Sequence, residues 1–162
     1  MTQGDTYVRT DWTYDENGNA LTEKYYDADG NPVACEAGYD ELRYEYAESG
    51  LPVRADFLLN GESVMTKAGF AAVTRAYNEQ GKVILEAYYD TEGQPAKSAG
   101  GYYAIRRSYD AEGNITEETK IKTLEELQYT IGTVPAVYSS VVNEKDRPYR
   151  LLVSKVTNLM AF

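Results

Sequence analysis

Histidine is absent from the 162-residue chain. The commonest general base and the commonest metal ligand are therefore missing. A single cysteine, Cys35, excludes an internal disulfide. With no histidine to activate it, this thiol reads as buried or incidental, not as a nucleophile. No apolar run reaches membrane-spanning length. Met1 to Val8 shows neither a basic nor an apolar leader region, so no signal peptide is expected. Basic residues are scarce as well, 16 against 26 acidic ones, and the net charge is −10. That balance argues against direct nucleic-acid binding, which needs a clustered basic surface, and against docking on or inserting into an anionic membrane. No glycine cluster opens a helix after a strand, and no carboxylate pair stands out from a solvated acidic surface. The expectation is a non-enzyme without a cofactor or bound metal.

What the chain does contain is tyrosine, 16 of them against 3 Phe and 1 Trp. Tyrosine suits a half-buried sheet surface, with the ring packed and the hydroxyl wet. Glycines set a rhythm at 18, 30, 38, 50, 61, 69, 81, 93, 101 and 113, with spacings of 12, 8, 12, 11, 8, 12, 12, 8 and 12. The spacing predicts a unit of about 32 residues. Four turns begin on tyrosine and end on glycine: Tyr14 to Gly18, Tyr46 to Gly50, Tyr77 to Gly81 and Tyr109 to Gly113. A second glycine type follows Tyr25-Tyr26, Phe57-Leu58 and Tyr88-Tyr89, and in the middle copy Asn60-Gly61 is a strong two-residue hairpin signal. A third type precedes Tyr39, Phe70 and Tyr102, and Tyr7 fits the same slot with Thr6 in place of glycine.

Between turns the chain alternates. Leu42, Tyr44 and Tyr46 share one strand face, Glu41, Arg43 and Glu45 the other. Each unit thus offers about three short strands that bury a face only against neighbouring units. The predicted fold is mainly β: a tandem antiparallel β-hairpin array over residues 1–121, as an elongated meander or a solenoid, with a mixed capping segment over 122–162. In that segment Thr123-Leu124-Glu125-Glu126 reads as a capping box opening a helix through about Tyr129. Residues 136–143 suit a helix or a strand, and residues 149–156 alternate like a strand. The run Asp27-Ala28-Asp29-Gly30-Asn31 opens like a calcium loop. Counting on from Asp27, however, puts Pro32 and Gly38 where an EF-hand needs Gly and Glu, so turn chemistry is the better reading.

Ser108-Tyr109-Asp110-Ala111-Glu112-Gly113-Asn114, Tyr26-Asp27-Ala28-Asp29-Gly30-Asn31-Pro32 and Arg43-Tyr44-Glu45-Tyr46 resemble the YD repeats of bacterial Rhs-type proteins. A looser likeness runs to the aromatic hairpin repeats of choline- and glucan-binding cell-wall proteins. The resemblance spans roughly residues 7–121. The unit is longer than a simple YD repeat, and the Gly-Trp element of the cell-wall repeats is missing. The resemblance implies a repeat module of a bacterial surface or secreted protein, binding glycan or protein through exposed aromatic rows or acting as a spacer. Adjacent strand residues face opposite ways, so Tyr25, Tyr26, Tyr88 and Tyr89, with Tyr44 and Trp12, are the candidate ligand-binding aromatics. The acidic charge supports an alternative: an inhibitor or decoy that occupies a basic, nucleic-acid-binding groove of a partner protein.

Overall fold

The computed structural model describes residues 7–133. The expected elements at 136–143 and 149–156 lie outside the described residues. Eight strands follow one another across a single open antiparallel sheet: β1 (Arg9–Tyr14), β2 (Ala20–Tyr26), β3 (Glu41–Tyr46), β4 (Pro52–Leu59), β6 (Ala72–Tyr77), β7 (Val83–Tyr89), β8 (Ala104–Tyr109) and β9 (Ile115–Ile121). The short β5 (Glu62–Ser63) pairs only with β4, and one helix, α1 (Leu124–Thr133), follows β9. Sheet order equals chain order along this path, which makes the architecture an open meander, not a solenoid.

The turns explain the hairpins. At the β1–β2 turn, Oδ1 of Asp15 accepts hydrogen bonds from the backbone N–H of Asn17 (2.8 Å) and of Asn19 (2.9 Å). Asn78 and Asp110 do the same for the turns at Gly81 and Gly113. This side-chain mimicry of a turn is what Asx residues offer. A β-bulge falls just before the turn tyrosine in all four long hairpins, at Thr13/Tyr14, Glu45/Tyr46, Ala76/Tyr77 and Ser108/Tyr109. At the β4–β5 turn both Asn60 (φ 54°) and Gly61 (φ 84°) lie in the left-handed region, as a two-residue type I′ hairpin requires.

The expected third strand of each unit is realised only as β5. Its counterparts shrink to single bridges, Tyr26 with Pro32 and Tyr89 with Pro95. Proline has no N–H to donate, so it cannot extend a ladder. Glu62-Ser63, after the tighter Asn60-Gly61 turn, keeps a two-residue strand.

Register places the side chains on two unlike faces. One face carries the aromatic and branched residues, among them Tyr25, Leu42, Phe57, Val73, Tyr88 and Ile105. The opposite face changes character along the sheet. Over β2 to β4 it presents Lys24, Glu41, Arg43 and Asp56. Over β6 to β9 it presents Ala72, Thr74, Ala76, Leu85, Ala87, Tyr89, Ala104 and Ile121. Helix α1 covers this second half, with Leu127 and Ile131 buried in the same cluster. The helix opens as the capping box predicts: the Glu126 N–H donates to Thr123 Oγ1 at 3.1 Å, and Thr123 Oγ1 lies 3.2 Å from Glu126 Oε1. It runs to Thr133, one turn past the expected end, because Ile131 completes its buried stripe.

Neighbouring hairpins are joined by more than their three-residue ladders. The hydroxyl of Tyr46 donates to the Ala20 carbonyl (2.7 Å), that of Tyr77 to the Pro52 carbonyl, and that of Tyr109 to the Val83 carbonyl (2.6 Å). Turns also bond to turns: Lys67 N–H to the Ala37 carbonyl at 3.0 Å, and Ala99 N–H to the Ala68 carbonyl at 2.8 Å. Gly69, at φ +92°, sits where an added Cβ would approach the Ala99 nitrogen to 2.7 Å. Gly18, at φ +85°, faces open space. Two stability outcomes follow for thermal or denaturant unfolding. Tyr77→Phe removes one buried hydrogen bond and lowers stability by about 1 kcal/mol. Gly69→Ala lowers it by about 1–3 kcal/mol, and by more than Gly18→Ala, which suffers the positive φ without the collision.

Candidate functional site

The six aromatic candidates part company in the fold. Tyr25 and Tyr88 belong to a continuous file of rings on the branched face. Centroid separations run 4.5 Å for Tyr7–Tyr25, 5.9 Å for Tyr25–Tyr39, 4.8 Å for Tyr39–Phe57, 5.9 Å for Phe57–Phe70, 4.6 Å for Phe70–Tyr88 and 5.9 Å for Tyr88–Tyr102. These lie within the range in which aromatic pairs attract. The Lys120 ammonium, 5.2 Å from the Tyr102 ring centre, closes the file. Tyr25 is 6% and Tyr88 4% exposed, so neither presents a ring face to a ligand. Tyr89, on the opposite face, is sealed beneath α1 at 1% exposure. These three rings are core.

Carboxylates fix the file from the side. Glu23 accepts from Tyr25 Oη (2.6 Å) and Tyr44 Oη (3.0 Å). Glu86 accepts from Tyr88 Oη (2.8 Å) and pairs with the Arg75 guanidinium (3.0 Å). Burial raises the phenols of Tyr25, Tyr44 and Tyr88 far above the ordinary tyrosine range, and the adjacent carboxylates push the same way. Tyr39, half-buried beside Cys35, is pushed up to about 12 by partial burial and the adjacent thiol.

The other three candidates border open ground. Trp12 is 45% exposed on the ladder face of β1. Tyr44 lines a 270 Å³ groove on that face with Tyr46, Ala55, Phe57, Val73 and Arg75. Tyr26 is half-buried on the charged face, under the Arg9 guanidinium at 4.4 Å. It walls a 330 Å³ groove whose polar lining is Lys24, Asp40, Glu41, Arg43 and Asn60. Asp40 and Glu41 are each 7% exposed. The Arg43 Nε lies 2.8 Å from Glu41 Oε2, and Asp40 Oδ2 accepts the Asn60 N–H at 3.2 Å. Two cationic and two anionic side chains therefore surround one groove; Arg43 is paired with Glu41 and Asp40 is tied to the Asn60 N–H, while Lys24 is exposed.

Tyr25 and Tyr26 both border this groove, while its polar lining residues escaped sequence reasoning. Their convergence depends on the β2–β3 register, which sets Lys24 opposite Glu41, and on a contact between Asp40 and a turn 20 residues away. The one available signal was that Glu41 and Arg43 share a strand face. The calcium-like run behaves as turn chemistry: Asp27 Oδ1 accepts the N–H groups of Asp29 and Asn31, both at 2.9 Å. No helix among the described residues is long and apolar enough to cross a membrane. No protein-family model matches the chain, and no curated protein matches it.

The raised phenols carry a pH consequence. Above about pH 10 the unfolded chain releases tyrosine protons that the folded ladder retains. Their contribution to stability is complete below that pH and is lost as pH rises through the folded-state values. Urea midpoints are expected to fall from about pH 10 upward and to keep falling as the pH passes about 12, the folded-state value of Tyr39. Tyrosinate absorbance from the ladder is expected to appear in step with loss of the β-sheet circular-dichroism signal. Full tyrosinate absorbance on an intact sheet would contradict the buried file.

Proposed function

We propose that the chain is a non-catalytic tandem β-hairpin repeat module that binds an uncharged glycan in the Tyr26 groove. Support for the repeat reading comes from the recurrence of one junction three times: a bulge, a tyrosine hydroxyl on the carbonyl opening the preceding return strand, and a ring-on-ring contact. The YD-like units favour a bacterial surface or secreted protein as its setting.

The observation that carries the glycan reading is the charge-balanced lining beside an aromatic wall. Lys24 and Arg43 oppose Asp40 and Glu41 around one cleft. A ligand bearing net charge of either sign would meet as much repulsion as attraction. A polyhydroxyl ligand uses both sets, because its hydroxyls donate to carboxylates and accept from ammonium, guanidinium and amide groups. The apolar edge of Tyr26 and the Pro32 ring offer it a flat surface. The aromatic ladder serves this site as a rigid base and not as a binding row. That differs from the sequence expectation for Tyr25, Tyr88 and Tyr89.

Binding to a panel of neutral oligosaccharides, measured calorimetrically, tests the proposal. Tyr26→Ala and Arg43→Ala are each expected to weaken the bound glycan by about tenfold. Tyr129→Ala, on the exposed side of α1, is expected to leave binding unchanged. No affinity for any neutral glycan, or binding indifferent to Tyr26 and Arg43, overturns the reading.

A further inference from the structure

Both margins of the sheet carry an incomplete copy of the junction that joins hairpins inside it. Within the sheet, a turn tyrosine donates its hydroxyl to the carbonyl of the residue two beyond the preceding turn glycine: Tyr46 to Ala20, Tyr77 to Pro52, Tyr109 to Val83. Tyr14 holds the same position on β1, is 59% exposed, and has no hydrogen-bond partner among the described residues. Ile115 holds the acceptor position on β9 and is 56% exposed. Apolar exposure concentrates at the same two places. Of the eight exposed large hydrophobics among the described residues, Val8, Trp12, Tyr14 and Leu21 lie on the first hairpin, and Ile115 opens the last strand. The internal counterparts of Leu21, Val53 and Ile84, are 3% and 5% exposed, and Tyr77, the counterpart of Tyr14, is 4% exposed. The other internal counterparts, Tyr46 and Tyr109, are half-buried, so the turn tyrosine and the residue after the turn are more exposed on the first hairpin than inside the sheet.

We propose that copies of this chain associate head to tail, the β9 margin of one molecule adding to the β1 margin of the next in the register of the internal junctions. The partner is a second copy because the two margins present complementary halves of one interface. β1 is an outgoing strand with the donor tyrosine, β9 a return strand with the acceptor carbonyl, and the internal junctions always join a return strand to an outgoing one antiparallel. The β7–β8 register pairs Leu85 with Arg106, Glu86 with Ile105 and Ala87 with Ala104. Transferred to the new junction, it sets Glu117 opposite Asp11, Glu118 opposite Thr10 and Thr119 opposite Arg9. The Tyr14 hydroxyl then meets the Ile115 carbonyl of its neighbour. Lys120 comes between Tyr102 of its own chain and Tyr7 of the next, so that the file of aromatic and cationic groups continues across the boundary.

Charge sets the conditions. Each copy bears −10, and Glu117 opposite Asp11 is a like-charge pair, which opposes pairing across strands. Association is therefore weak at low ionic strength and strengthens as salt screens the repulsion. The interface is heterologous and does not close on itself, so it generates open chains of no fixed number.

Sedimentation velocity of the full chain over a range of concentration and salt tests this. The weight-average mass is expected to rise continuously with both. Glu117→Lys, a substitution on an exposed strand position, turns the like pair into an opposite one and is expected to tighten association about fivefold. Tyr14→Phe removes the donor hydroxyl and is expected to weaken it about fivefold. Tyr129→Phe is the neutral control. A chain that stays monomeric at millimolar concentration in high salt overturns the proposal. So does a closed dimer, or an association that neither Glu117→Lys nor Tyr14→Phe changes.

Discussion

The contact on which the whole molecule depends is the junction between hairpins, where a ring from one hairpin lies on a ring from the next and a tyrosine hydroxyl reaches back to a carbonyl. Each two-stranded hairpin is marginal alone, since it has one side of a thin ribbon to bury and little to bury it against. Three-residue ladders between hairpins, such as Thr22–Lys24 with Arg43–Glu41, contribute few hydrogen bonds. The file from Tyr7 to Tyr102 supplies what the ladders lack: apolar area plus an oriented aromatic contact, worth about 0.5–1.5 kcal/mol per pair beyond burial. Tyrosine outnumbers phenylalanine because its hydroxyl lies where the sheet is thin. There it finds Glu23, Glu86 or a backbone carbonyl in place of an apolar core that would leave it unpaired.

The same constraint explains the division of the second face. One slot holds Glu41 in β3, Ala72 in β6 and Ala104 in β8. Another holds Lys24 in β2, Asp56 in β4 and Ala87 in β7. Where the slots are alanine, α1 approaches the sheet and Leu127 and Ile131 close over Tyr89. Where they are charged, the face stays open and the Tyr26 groove forms. Two equivalent phenols thus have opposite fates: Tyr26 borders a polar cleft and Tyr89 is sealed, although both occupy the second position of a Tyr-Tyr pair.

That contrast marks how much of the molecule could be read in advance. Strand positions, turns and the two faces of β3 follow from period-two alternation and from the Asx-to-glycine spacing, which act over a few residues. The capping box at Thr123 is equally local. What lies beyond such reading depends on distant pairing. Alanine at 72, 76, 87 and 104 looks like weak strand composition until a helix packs on it. Tyr88-Tyr89 reads like Tyr25-Tyr26 because nothing within ten residues shows that α1 covers Tyr89 and leaves Tyr26 beside an open groove. The third strand fails at Pro32 and Pro95 for a reason that was visible in the sequence, the missing N–H, but its survival at Glu62-Ser63 depends on a turn one residue shorter.

An open sheet whose hairpins join through similar contacts has no intrinsic end, and its margins must be handled separately from its interior. At the β9 side the chain departs from the pattern twice: Lys120 takes the slot of Tyr25, Phe57 and Tyr88, and α1 follows where a glycine turn would lead to another ring. The helix shields the flat face without covering the strand edge, and the charged strand Ile115–Ile121 is the kind of edge that resists indiscriminate pairing. At the β1 side, Trp12 and Tyr14 show no comparable protection among the described residues. A margin with charge on one side and aromatic surface on the other is asymmetric by construction. It opposes pairing of β9 with β9 through Glu117 and Glu118, and it leaves β1 as the surface at which specific contact is least opposed.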